Sequence, residues 1–146
     1  MRKGFTLIEL LVVIAVIGML ASMVLVSLGP ARKKARDARR QSDLRQIGTA
    51  MEMYYSDSDN YIDSAAGANT VTAIGTYMPL VPKDPLDSGN QRYTWTDGTT
   101  QYYCVYVQLE AVTNTWFCAS NRGVQTKTAA GYTPSNTDCC GVNVTI

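Results

Sequence analysis

Glu9 is the side chain in this sequence with the clearest chemical demand. It stands at the edge of Leu10 to Leu28, nineteen residues without a charge. A carboxylate at membrane depth costs a few kcal/mol unless it meets a partner, and such residues mark function. Four cysteines, Cys104, Cys118, Cys139 and Cys140, all lie in the last third of the chain. An even number confined to one region reads as disulfides. Zinc is the weaker reading, since Cys139 and Cys140 are adjacent and no C-x-x-C spacing occurs. The chain has no histidine, so the commonest general base and metal ligand is missing. It also lacks a Gly-x-Ser-x-Gly turn, a phosphate-binding loop and paired metal ligands. These features argue against an enzyme.

The element that must hold Glu9 is the apolar run itself. Nineteen residues at about 1.5 Å each reach roughly 28 Å, close to the hydrocarbon thickness of a bilayer. The run is long for a secretory signal core, and Val26-Ser27-Leu28-Gly29 is a poor cleavage site. The plain alternative is an unprocessed signal anchor. Ahead of the run stands Arg2-Lys3-Gly4-Phe5-Thr6-Leu7-Ile8-Glu9, which resembles the type III signal of prepilins. The resemblance implies a leader of residues 1–4 and a membrane peptidase that cuts between Gly4 and Phe5. It also implies N-methylation of Phe5, and pairing of Glu9 with the amine of a neighbouring subunit's Phe5. On this reading Glu9 serves assembly, and an isolated chain gains nothing from it. Lysine and arginine counted alone would put the C-terminus in the cytoplasm. The processing motif and the cysteines argue for an exported head instead.

Charge is unevenly spread. Residues 31–46 hold seven basic side chains (Arg32, Lys33, Lys34, Arg36, Arg39, Arg40 and Arg45) against Asp37 and Asp43, for +5. From Ile47 onward four basic residues face nine acidic ones, for −5. Directly after a membrane-length run, lipid headgroups are a simpler neighbour for the basic segment than nucleic acid. Residues 31–55 are rich in helix formers, so a helix resumes after a kink at Gly29-Pro30. Steps of about 100° put Ala31, Ala35, Ala38 and Ser42 on one stripe, and Leu44, Ile47, Met51 and Tyr54 on another. The small stripe suits close helix approach or merely supplies helix propensity. The larger stripe suits a covering head. The organisation expected is a filament-core half over 5–29, an amphipathic half over 30–55 and a head over 56–146. In the resembled family the stretch around Gly18, Gly29 and Pro30 is partly unwound in filaments.

In the head, 56–81 reads as a polar connecting loop and 82–90 as a Pro/Gly loop. Strands are expected at 93–96, 101–109 and 115–119, with Asp97-Gly98 as a hairpin turn and an irregular tail from Asn121. Pairing about Ala111 would set Cys104 opposite Cys118 as a disulfide. The alternative, in which Cys139 and Cys140 each take one strand cysteine, stays open. The fold class is α+β: a long N-terminal helix packed on a small antiparallel sheet, as in pilins. Pro82 to Pro85 and Gln91 to Thr94 also resemble major pseudopilins of type II secretion. There a nearby acidic loop binds calcium, which makes Asp84 and Asp87, with Ser88 and Asn90, candidate ligands beside the simpler reading of a solvated turn. Asn143-Val144-Thr145 is a glycosylation sequon.

The function these features imply is a structural subunit of an extracellular type IV pilus. The alternatives are a major pseudopilin and a membrane-anchored binding module that never polymerises. The implied partners are further copies of the chain, the prepilin peptidase, the inner-membrane platform with its cytoplasmic ATPase, and the membrane before assembly. The precursor would sit in the cytoplasmic membrane, N-terminus inside and head outside, before moving to the cell surface.

Overall fold

A computed structural model describes residues 4–96, 101–135 and 137–143. Helix α1 runs over Leu7–Ser58, 52 residues. Thr6 is its N-cap, and it ends where Asp59 turns left-handed at φ 56° and donates its N–H to the Tyr55 carbonyl. The kink expected at Gly29-Pro30 is not a break, because α1 continues through Pro30. Proline removes one N–H, so only the Val26 carbonyl loses its partner. Strong helix formers on both sides carry the helix across.

Among the described residues seven strands follow: β1 (Gly67–Ala68), β2 (Thr94–Trp95), β3 (Cys104–Gln108), β4 (Thr115–Ser120), β5 (Gly123–Thr128), β6 (Asp138–Cys139) and β7 (Val142–Asn143). The first five form one antiparallel sheet in chain order, and β6 with β7 form a separate two-stranded ribbon. Together they make the expected α+β architecture of a long helix on an antiparallel sheet. Two details differ from the sequence reading. The connecting loop contributes β1 to the sheet, and the tail from Asn121 continues as β5 rather than as irregular chain. The turn into β5 is Asn121-Arg122, with Gly123 at φ 93°. That left-handed backbone favours glycine. β5 is mostly exposed and carries no apolar alternation, so its residues give no strand signal. Asp97-Gly98 lies outside the described residues.

Alternation along the central strands builds two cores. Tyr103, Val105, Val107, Phe117 and Ala119 face α1 and close over Leu44, Ile47 and Met51. Cys104, Trp116 and Cys118 belong to a second cluster with Cys139 and Cys140. β4 is therefore buried along its whole length, covered by the helix on one face and the C-terminal segment on the other.

Candidate functional site

At the start of α1, Thr6 and Glu9 form a capping box. The Glu9 carboxylate accepts the Thr6 N–H at 2.9 Å and the Thr6 hydroxyl at 2.8 Å. The Glu9 N–H donates to the Thr6 Oγ1 at 3.4 Å. This pattern satisfies orphan donors of the first turn. The expectation that Glu9 gives nothing to an isolated chain is therefore corrected: it caps its own helix. Gly4 and Phe5 precede the helix and are exposed, while Arg2 and Lys3 lie outside the described residues.

From Phe5 to Leu28 the large apolar side chains are uncovered; Leu7 is 81% exposed and Leu25 70%. The helix is long and apolar enough there to cross a membrane. The polar groups in this stretch are satisfied locally. Ser22 donates to the Met19 carbonyl at 2.7 Å and Ser27 to the Val24 carbonyl at 2.9 Å. Such back-bonding suits a segment without water around it. An apolar surface of this extent marks contact with lipid or with other chains.

Where the helix meets the head, a buried charge cluster replaces apolar packing. Arg40 has no exposed side-chain surface. It donates Nε and Nη2 to Asp84 at 2.5 and 2.9 Å, and Nη1 to Asp37 at 2.7 Å. It also pairs with Glu110. Glu110 receives a two-pronged bond from Arg36 at 2.9 and 2.6 Å. Asp37 accepts the backbone N–H groups of Glu110 and Ala111, at 2.9 and 2.8 Å. Three parts of the chain are thus clasped together: helix residues 36–40, the loop around Asp84 and the β3–β4 connection. Burial works against charge on Arg40, but its three carboxylate partners more than offset this and raise its pKa. The Arg36 guanidinium holds the Glu110 carboxyl down at about 2. A step further on, the Tyr93 hydroxyl donates to Asp43 at 2.7 Å, and burial pushes that phenol up.

The helix face behind this clasp was only half read from sequence. Leu44, Ile47 and Met51 are buried as expected, and Tyr54 packs at the core's edge. Asp37 and Arg40 extend the same stripe by spacings of three and four. Two charges in core register are the signal that would have found the clasp. Asp84, raised as a calcium ligand, has both carboxylate oxygens on Arg40 and Oδ1 also on the Leu86 N–H. Asp87 instead accepts from Asn69 and pairs with Arg92. No group of three or more His, Cys, Asp or Glu that could hold a metal gathers among the described residues. A guanidinium already stands where a cation would, so this donor set does not fit calcium.

The cysteines join the second core. Cys104 bonds Cys139 and Cys118 bonds Cys140, each pair with Cα atoms 5.9 Å apart. The leading expectation of a Cys104–Cys118 bridge is corrected. The β3–β4 register is two residues longer than assumed, so Cys104 faces Ser120 and Tyr106 faces Cys118. Cys104 and Cys118 are then diagonal neighbours, about 7–8 Å apart in such sheets and beyond disulfide reach. The adjacent pair Cys139-Cys140 crosses above them and takes one partner from each strand.

Residues 1–25 match the family described as the prokaryotic N-terminal methylation motif. The chain is 32% identical over 139 residues to the type IV wide pilus major component PilA4 of Thermus thermophilus, covering 94% of this chain and 96% of that protein. It is 31% identical over 101 residues to the type II secretion system core protein G of Pectobacterium carotovorum, covering 69% of this chain and 65% of the relative. The core protein G of Escherichia coli is 35% identical over 79 residues, 54% of each chain. The capping box at a methylation motif, the uncovered helix and the clasped head all sit within these matches. The chain belongs to the pilin and pseudopilin family of structural subunits, which are not enzymes.

Proposed function

We propose that this chain is a subunit of a type IV pilus, cut between Gly4 and Phe5, methylated on the new Phe5 amine and polymerised through α1. The observation that carries the choice of pilus is the extent of the likeness to PilA4, which runs through the head and takes in 94% of the chain. The likeness to the core protein G of Pectobacterium covers 69%. Two disulfides that fasten the end of the head to its sheet suit a filament exposed to shear. Before assembly, the uncovered run from Phe5 to Leu28 rests in the cytoplasmic membrane, with the head outside. In the filament, like helices replace lipid around it. The Glu9 carboxylate, already turned to the start of the helix, meets the Phe5 amine of a neighbour. Processing and extraction from the membrane call for the prepilin peptidase, an inner-membrane platform and its ATPase.

The second reading, a major pseudopilin, is favoured by the core protein G relatives and by the resemblance of Pro82 to Pro85. One experiment separates the readings. Surface filaments are sheared from cells and their subunits weighed intact. The pilus reading expects filaments containing this chain with N-methyl-Phe5 first. Absence of surface filaments, with protein export lost on deletion of the gene, would favour the pseudopilus. Subunits that retain Met1 to Gly4 in filaments would remove the processing step.

A further inference from the structure

The basic side chains of residues 31–46 fall into two sets, apart from Arg45, whose guanidinium lies over the Phe117 ring at 5.4 Å from its centroid. Arg36, Arg39 and Arg40 each pair with a carboxylate of their own chain. Arg32, Lys33 and Lys34 are exposed and form no ion pair among the described residues. The unpaired set is the one nearest the apolar run. Lys34 lies six residues beyond Leu28, about 9 Å along the helix. The polar interface outside the hydrocarbon core is about 5–8 Å deep on each side, and long basic side chains reach back along the helix.

We infer that Arg32, Lys33 and Lys34 form a collar that binds the phosphates of anionic phospholipids in the leaflet on the head side, holding the subunit at a fixed depth before assembly. This rests on the reading of α1 as a membrane segment. Three consecutive helical residues fan through about 200° of the helix circumference. A leaflet surrounds the helix and meets all three directions at once. A nucleic-acid duplex approaches from one side, and these three present no single face to it. The unpaired charges are the complement of an anionic surface, and a surface phosphate field attracts each such residue separately. Of the paired arginines further on, Arg36 and Arg40 are held by the head and Arg39 by Asp43 of the helix.

The test uses the full chain reconstituted into phosphatidylcholine vesicles containing about one third phosphatidylglycerol. Alkaline carbonate washing first reports insertion. Spin-labelled phosphatidylglycerol and phosphatidylcholine then report which lipid is held at the protein. The wild type should favour phosphatidylglycerol about twofold or more, and lose the preference near 1 M salt, where the screening length is about 3 Å. The combined variant Arg32→Gln, Lys33→Gln, Lys34→Gln should insert normally and show no preference. Arg45→Gln should keep the wild-type preference. A chain washed out by carbonate would overturn the membrane reading and the collar with it. Normal insertion with no preference in the wild type, or an undiminished one in the triple variant, would overturn the collar alone. So would labelled duplex DNA bound by the wild type, lost in the triple variant and unaccompanied by lipid preference.

Discussion

At the scale of single residues, Glu9 has two duties that substitutions can separate. Glutamine at the third helical position still completes a capping box, but it carries no charge for a neighbour's amine. Glu9→Gln should therefore leave the processed monomer at normal abundance and remove filaments, as should Glu9→Val. Thr6→Ala keeps the charge and removes the cap side chain, a change worth about 1 kcal/mol, so filaments should persist at reduced yield. Immunoblots of membrane and sheared surface fractions distinguish these outcomes. Normal filaments from Glu9→Gln would show that charge is not what assembly needs. Arg40 offers a second contrast. Arg40→Ala leaves the buried Asp84 without its cation, while Glu110 keeps Arg36 and Asp37 keeps two backbone N–H groups; removal of one partner from a buried ion pair costs about 3–5 kcal/mol. Arg39→Ala, at a side chain 62% exposed, should change stability by less than about 0.5 kcal/mol. Chemical unfolding of the detergent-solubilised chain measures both.

At the scale of elements, the β3–β4 connection is held to α1 by charge, so the attachment should weaken in acid. The Glu110 carboxyl lies near 2 in the folded chain against an ordinary 4.5. Its contribution is complete above pH 4.5 and is lost progressively as pH falls toward 2. The melting temperature of the wild type should exceed that of Glu110→Gln at pH 7, and the gap should shrink below pH 4.5 and close near pH 2. A gap that does not shrink would assign the stabilisation elsewhere. The bridges make a separate expectation. Non-reducing peptide maps should recover Cys104 with Cys139 and Cys118 with Cys140. Closing loops with separations of 35 and 22 residues stabilises by about 3–4 kcal/mol each in the chain-entropy model, with less than the sum for both because the loops overlap. A map showing Cys104 with Cys118 would reject the register as well as the bridges. The elements themselves were unevenly legible. α1 announces itself through composition and period. β3 and β4 do so through alternating aromatic and β-branched residues. β5 has only a turn glycine and exposed threonines to declare it, and the two-residue slip between β3 and β4 follows from a loop whose length the residue types alone do not fix.

At the scale of the whole molecule, the sequence separates a long apolar helix from a head. An uncharged run behind a processing motif marks the first, and the cysteines confined to the far end mark the second. What stayed hidden is how the two parts are joined. Asp37 and Arg40 look like members of a solvated charge run, because seven basic residues crowd the same segment. Their spacing from Leu44 is the one sign that they turn inward, and it is easily lost in that crowd. Asp84 is 44 residues away from Arg40, and Glu110 is 74 away from Arg36. Long-range ion pairs have no local period, so the core register of Asp37 and Arg40 marks them as inward-facing while their partners come only from the tertiary structure.

The bridges also decide how the head behaves under tension. A pull between α1 and the C-terminal ribbon crosses from Cys104 to Cys139 through one covalent bond, with a second in support. The 35 residues of separation at that bridge would otherwise add about 120 Å of contour at roughly 3.4 Å per residue. With the bridge closed, that length never enters the load path, and the central hairpin keeps its register even if the rest is drawn out. Give in a strained head is left to the chain between the end of α1 and Cys104, midway along which Arg40 grips Asp84. Such a subunit stretches by slipping a non-covalent grip that can re-form on release, while the sheet beyond it stays wound.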